Sequence, residues 1–275
     1  MKISCHVLDN EFELDEKPRR VVSLNPGFSE AIVEMGAGDR LAGISSYCSR
    51  FISPGEAVVA GDYLKADHRV LKELDPDLIL ITTGVQLRLG RELVRAGYPV
   101  YALPLPSSFH GILENIINIS ALCGVTGLGR ELARRLEDSA RTISAATPWE
   151  RDNAPGVYPE LWFGLHPRSI GGRSYIHDII RIAGGHPLGV ELADSYTMLD
   201  FARVEQSRPG IFLGFHEPEY PMDFPLEAEK RGWSWLEPGQ IIVSTTEKGK
   251  NIIHDGPSLV QTASWLQEQM VKSLN

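Results

Sequence analysis

Cysteine is scarce: the chain has three, at positions 5, 48 and 123, and none forms a CxxC pair. An odd, scattered set excludes a disulfide frame or a structural zinc site of ordinary spacing, and suits a reducing compartment. Long apolar runs are missing too. No stretch approaches the roughly 20 residues of a membrane span. The N-terminus, Met1-Lys2-Ile3-Ser4-Cys5-His6-Val7, is broken by polar residues at once and carries no secretory h-region. As written the chain is expected in the cytoplasm, and in the periplasm or outside the cell only if a leader was removed. Positive charge is in deficit: 27 Lys and Arg against 36 Asp and Glu leave a net charge of −9. That excludes ordinary nucleic-acid binding, where a basic surface must meet phosphates. Catalytic signatures are absent as well, with no GxSxG elbow, no phosphate-cradling glycine loop and no paired-histidine metal motif.

What is present is a globular composition, 43% hydrophobic and 23% charged over 275 residues, enough for one large domain or two of ordinary size. The most informative feature is an internal repeat. Met35-Gly36-Ala37-Gly38-Asp39-Arg40-Leu41 is echoed by Ile182-Ala183-Gly184-Gly185-His186-Pro187-Leu188, and Asp67 through Pro76-Asp77-Leu78-Ile79-Leu80 by Asp200 through Pro209-Gly210-Ile211-Phe212-Leu213.

Each half reads as strands alternating with helices. The first gives strand Arg20–Asn25, helix Ser29–Met35, strand Leu41–Ser45, helix Arg69–Leu74 behind an Asp67 N-cap, strand Leu78–Thr82, helix Arg88–Ala96 and strand Val100–Leu103. The second gives strand Val157–Phe163, helices Tyr175–Ala183 and Phe201–Gln206 (the latter behind Asp200), and strands Ile211–Phe215 and Gln240–Ser244. Ile3–Leu8 and Glu11–Leu14 around Asp9-Asn10 read as an added hairpin. Between the halves, Leu128, Leu132, Leu136, Ala140 and Ile143 recur at helical spacing. The expected fold is therefore α/β, two lobes with parallel central sheets joined by a single long helix. The boundaries fall at 1–124, 125–148 and 149–275.

At this point a family resemblance appears. Arg19-Arg20-Val21-Val22-Ser23-Leu24-Asn25-Pro26 with Ser29-Glu30, Gly43-Ile44-Ser45-Ser46-Tyr47, and Leu74-Asp75-Pro76-Asp77-Leu78-Ile79 resemble segments of the substrate-binding proteins of cobalamin, haem and ferric-siderophore ABC importers. Ser174-Tyr175-Ile176, Ala183-Gly184-Gly185 and Gly256-Pro257-Ser258-Leu259-Val260 continue the likeness in the family's order across nearly the whole chain. The resemblance implies a non-enzymatic protein that needs no cofactor and holds a bulky small molecule, such as cobalamin, haem or a ferric chelate, in a cleft between two lobes.

Ligands of open parallel sheets lie beyond the carboxyl ends of the strands. That rule, with the resemblance, nominates Phe28, Tyr47, Tyr63, Gln86, Phe163, His166, Arg173, Tyr196 and His216 as ligand-binding residues. Tyr47, Tyr63 and Tyr196 fall where cobalamin-binding relatives carry cleft aromatics, and an aromatic face suits a flat macrocycle. The blander reading is that these tyrosines close turns. His166, His216 and Glu217 have the chemistry of metal ligands but lack a binding motif, so no metal site is expected. His177 and Arg181 are expected to face solvent, and Trp233 to pack in the core.

Two departures from the family bear on partners. Its transport-coupled members dock on a permease through one glutamate on each lobe, and the matching positions here are Arg69 and Ala202. Productive permease docking is therefore not expected, since an arginine there would meet a permease arginine with like charge. The leading expectation is a corrinoid-binding protein acting inside the cell. A haem or ferric-siderophore carrier of an ABC importer is the alternative within the class. An enzyme drafting Ser23, Ser29 and Glu30 is the alternative outside it, and no catalytic residues are nominated. No nucleic acid and no membrane insertion are expected.

Overall fold

The structure is a computed structural model that describes residues 1–274. The chain divides into two compact units. Unit 1 comprises residues 1–106, 110–136 and 254–257; unit 2 comprises residues 107–109, 137–253 and 258–275.

Unit 1 opens with an antiparallel hairpin, β1 (Lys2–Cys5) and β2 (Asn10–Glu13), in register from Lys2 opposite Glu13 to Cys5 opposite Asn10. The first strand is shorter than its apolar pattern predicts, because a 3-10 turn takes up His6–Leu8 and ends on Asp9 in the left-handed region (φ 50°). The central sheet contains β3 (Val21–Ser23), β4 (Leu41–Ser45), β5 (Val58–Gly61), β6 (Leu78–Thr82) and β7 (Val100–Leu103). All its pairings are parallel, in the order β5-β4-β3-β6-β7. Its strands are short apolar runs, as a sheet covered on both faces requires. Three helices follow strands: α1 (Pro26–Glu34), α2 (His68–Leu74) and α3 (Leu87–Arg95). One core cluster joins Val22, Leu24, Ile79 and Ile81 of the sheet region to Leu71, Leu89 and Leu93 of α2 and α3. α4 (Phe109–Leu122) buries Ile112, Ile116 and Ile119, a helical stripe.

α5 (Thr126–Ala145), 20 residues and about 30 Å long, is the long helix read from the leucine spacing. Its residues up to Leu136 group with unit 1 and those from Glu137 with unit 2. It is not the sole point at which the chain changes unit, because residues 254–257 return to unit 1.

Unit 2 contains β8 (Gly156–Phe163), β9 (His166–Ile170), α6 (Tyr175–Ile182), β10 (His186–Pro187), β11 (Tyr196–Thr197), α7 (Phe201–Ser207), β12 (Ile211–His216), α8 (Phe224–Lys230), β13 (Ile241–Ser244) and α9 (Leu259–Leu274). β12 lies parallel to β8 and β13, and β10 parallel to β8, as the alternating pattern predicts. β9 is antiparallel to both β8 and β11, so this sheet is mixed. The cause is local. Gly164 (φ 59°) and Leu165 form a two-residue turn that sends the chain straight back, with Phe163 opposite His166.

The aromatic core of unit 2 gathers Tyr158, Phe212, Phe224 and Trp233, with Trp233 packed edge-on to Tyr158 and Phe212 as expected of a core residue. His177, in contrast, does not face solvent: it is 7% exposed. α6 buries Tyr175, Ile176, His177, Ile179 and Ile180, so protein covers more of it than one amphipathic stripe. Arg181 is exposed.

Candidate functional site

In unit 1 the strand order places the topological switch point between β3 and β6, because connections from the centre run outward in opposite directions from there. Gln86 sits at that point with its amide committed to the fold. Its Oε1 accepts from the Thr82 N–H (2.8 Å), while its Nε2 donates to the carbonyls of Leu24 (3.1 Å) and Tyr63 (2.8 Å). It ties the ends of β3 and β6 to the turn after β5. Phe28, in the first turn of α1, is fully buried and lies beneath the surface.

The exposed groups come from the following loops. Tyr47 after β4 carries the Arg50 guanidinium 5.0 Å from its ring centre. Tyr63 is half-buried in the turn after β5, where Asp62 accepts from the Leu64 and Lys65 amides. Leu64, Val85 and Leu105 are large exposed apolar residues following β5, β6 and β7. Four of the five strands thus end in a solvent-facing apolar group.

Unit 2 repeats the arrangement with different residues. Phe163, the last residue of β8, meets Tyr196 edge-on at 5.9 Å and Phe215 at 6.4 Å. The structure thereby brings two nominated residues together. Leu165 in the hairpin turn is 72% exposed and Met198 after β11 is 70% exposed, with Tyr220 exposed beyond β12. His166 begins β9 and is exposed; His216 ends β12, half-buried, its Nδ1 3.1 Å from the Glu217 carbonyl oxygen. Arg173 is exposed, and its backbone carbonyl accepts from Ser195 Oγ at 2.7 Å. Among the described residues no group of three or more His, Cys, Asp or Glu side chains is arranged to hold a metal ion.

Comparison with known proteins places this geometry. The profile of the periplasmic binding protein family matches residues 21–213, well over half of the chain. The chain belongs to the periplasmic binding protein family. A cobalamin-binding protein of Halobacterium salinarum is 26% identical over 204 residues, covering 73% of this chain and 54% of that protein. The chain thus spans about half the length of that relative. Among solved structures, the periplasmic haem binding protein HutB of Vibrio cholerae superposes with a TM-score of 0.74 at 17% identity, over 92% of this chain and 98% of that one. The periplasmic vitamin B12 binding protein BtuF of Vibrio cholerae gives 0.70 at 17%, over 94% and 98%. At such identities the structural likeness is one of fold.

α2 and α7 are built alike, each seven residues long behind an aspartate cap. Asp67 caps α2 by accepting from the Arg69 and Val70 amides, and Asp200 caps α7 by accepting from the Arg203 amide. Both helices end on a residue in the left-handed region, Asp75 (φ 45°) and Arg208 (φ 42°). Each of these is followed by proline. Arg69 is exposed and lies 3.9 Å from Glu73, one turn on; Ala202 is also exposed.

Residues that sequence reasoning missed are the buried charges. Glu30 is fully buried, with His254 Nε2 2.8 Å from its Oε2. Glu160 is fully buried in β8 and takes both Arg231 guanidinium nitrogens, at 2.7 and 3.0 Å, together with Tyr158 Oη and Trp162 Nε1, each at 2.9 Å. Ser23 and Ser29 are buried and bonded to each other at 2.9 Å, with the Cys48 thiol 3.1 Å from Ser29. All three thiols are free and buried. Burial raises the pKa of Cys48, and pushes that of Cys123 up to about 12 against the nearby Arg40 charge.

Proposed function

We propose that this chain is a non-enzymatic binding protein for a corrinoid of the cobalamin class, taken at the carboxyl ends of its strands. The observation that carries the reading is the pair of apolar rims, Tyr47, Leu64, Val85 and Leu105 in unit 1 and Phe163, Leu165, Met198 and Tyr220 in unit 2. Exposed apolar groups that follow strand ends repeatedly, rather than singly, mark a binding surface. A corrin offers a broad flat face for tyrosine rings and polar amides at its edge for their hydroxyls. The cobalamin-binding relative from H. salinarum supports the same ligand class. Tyr47, Tyr63, Phe163 and Tyr196 supply the aromatic contacts, with His166 and His216 at the rim of unit 2.

The test is an absorbance titration of the purified protein with cobalamin, haemin and ferric chelates. Saturable cobalamin binding at micromolar concentration or tighter is expected. Binding of none of the three overturns the proposal. A second reading, haem or an anionic ferric chelate, draws on Arg173, whose exposed guanidinium in unit 2 suits a carboxylate. Preference for haemin or the ferric chelate over cobalamin in the same titration would decide for it.

The chain performs this role without docking a permease through paired acids. Arg69 and Ala202 occupy the two corresponding helix positions, and an arginine repels the basic partner that an acid would attract. Three free buried thiols favour a reducing compartment, and therefore storage or delivery in the cytoplasm. Transport by the chain in a reconstituted importer would defeat this part of the reading, as would recovery of the native protein outside the cytoplasm on fractionation.

A further inference from the structure

Residues 254–257 are separated from the rest of unit 1 by more than a hundred positions and are flanked on both sides by residues of unit 2, yet they are embedded in unit 1. His254 lies flat on Phe51, ring centres 3.7 Å apart and planes within 5°, and is 3% exposed. Its Nε2 sits 2.8 Å from Oε2 of Glu30, on the second turn of α1. Asp255 reaches the first turn of the same helix, where Asn25 Nδ2 points to its Oδ2 at 3.4 Å. Asn25 is the N-cap of α1, accepting from the Phe28 amide at 3.1 Å.

The approach is so close that it needs glycine on both sides. A Cβ on Gly27 would fall 2.6 Å from the Asp255 carbonyl oxygen, and one on Gly256 would fall 2.6 Å from Glu30 Oε2 and 2.8 Å from the Gly27 Cα. Pro257 then restricts the exit of the chain. β3 is the central strand of unit 1 and α1 leaves its carboxyl end, so these four residues lie over the switch point of the sheet.

We propose that residues 254–257 form a strap that plugs the switch point of unit 1 and positions the Asn25–Phe28 turn beneath its ligand rim, with the Glu30–His254 pair as fastener. This deepens the ligand reading above, and its positioning half rests on that reading. A helix N-terminus at a switch point ordinarily receives the ligand's anionic group. Here the chain supplies its own carboxylate, Asp255, so recognition falls to the neighbouring strand ends, which carry Tyr47, Leu64, Val85 and Leu105. His254 and Glu30 are positioning residues in this scheme and touch no ligand.

The test compares wild type with His254→Phe, which keeps a ring for Phe51 and removes the donor to Glu30, and with His254→Gln, which restores a donor. Amide hydrogen exchange at Asp255, Gly256 and Phe28 should speed up about tenfold or more in His254→Phe and return part of the way in His254→Gln. Cobalamin affinity should fall about threefold or more in His254→Phe and recover in parallel. If His254→Phe does not fold, Gly256→Ala, which drives a methyl against Glu30, serves in its place. Exchange within about twofold of wild type in the folded variant would overturn the fastener. Faster exchange with unchanged affinity would overturn the positioning role. Failure of the wild type itself to bind cobalamin would remove the ligand reading and leave the exchange test of the strap intact.

Discussion

Each unit buries one glutamate completely, and the two are answered in different ways. Glu160 in unit 2 is saturated: a two-pronged guanidinium, a phenol and an indole all point at its two oxygens. Arg231 in turn lies over Phe201 at 4.3 Å and Trp233 at 5.0 Å, so its charge is also held by aromatic faces. Burial works against that charge, but the hydrogen bond and attraction of Glu160 outweigh it and the guanidinium pKa is raised. Glu30 in unit 1 has an imidazole 2.8 Å away, brought by a segment 224 residues along the chain. The first arrangement is a pin between β8 and the end of α8. The second is a fastener on a strap, closed by a segment that must return from far along the chain.

The largest effect should come from breaking the pin. Arg231→Met leaves Glu160 buried without its cation, and removing one member of such a pair costs about 3–5 kcal/mol. Adding Glu160→Leu should recover most of that loss, because the apolar replacement of both partners removes the unpaired charge. All five tryptophans, Trp149, Trp162, Trp233, Trp235 and Trp265, belong to unit 2. Denaturant unfolding followed by tryptophan fluorescence therefore reads unit 2 directly. A shift below about 1 kcal/mol in the single variant would show that the pin is ornamental and dissolve the contrast with unit 1.

A smaller effect of opposite sign is expected at the strap. Burial is the leading cause that raises the Asp255 carboxyl pKa, ahead of the opposing pull of His254. A raised folded-state value means that the folded protein holds this proton more tightly than the unfolded chain does. The resulting stability is fully present below the ordinary carboxylate pKa of about 4 and is lost as pH rises through the folded value. At neutral pH the charged Asp255 is therefore a cost. Asp255→Asn should be more stable than wild type at pH 7, with the difference shrinking on acidification. Thermal unfolding of both proteins across that range checks it, and a gap that widens toward acid would contradict the assignment.

Much of the fold was legible because its signals are local. β4, β6 and β7 have the predicted limits, since each is a short strand bounded by turn residues. Asp67 and Asp200 act as caps because a carboxylate ahead of a helical run has free amides to accept from. β9 escaped, since Gly164-Leu165 lacks the Asn-Gly or Asp-Gly pair that announces a tight hairpin. The site was legible only in part. Strand ends could be found, and Tyr47 and the Phe163–Tyr196 pair lie there, but burial at those ends could not, and Phe28 and Gln86 prove buried. The Glu30–His254 contact had no signal at all. No spacing rule links residues 224 positions apart.

The smallest effects compare the two rims. Tyr47→Ala in unit 1 removes an exposed ring that has the Arg50 guanidinium over its face. Stability should move by less than about 0.5 kcal/mol, the usual outcome at a surface position. Tyr196→Ala in unit 2 removes a half-buried ring that braces Phe163, so some stability should go with it, about 1 kcal/mol for the lost aromatic pair. Where a ring lies against a corrin, its loss should weaken cobalamin binding by roughly fivefold, which is about 1 kcal/mol. The two rims then differ in what else the ring does, not in what it does for the ligand. Equal losses of affinity with unequal losses of stability are the expected pattern. An affinity loss confined to Tyr196→Ala would assign recognition to unit 2 and leave the rim of unit 1 as turn-closing residues.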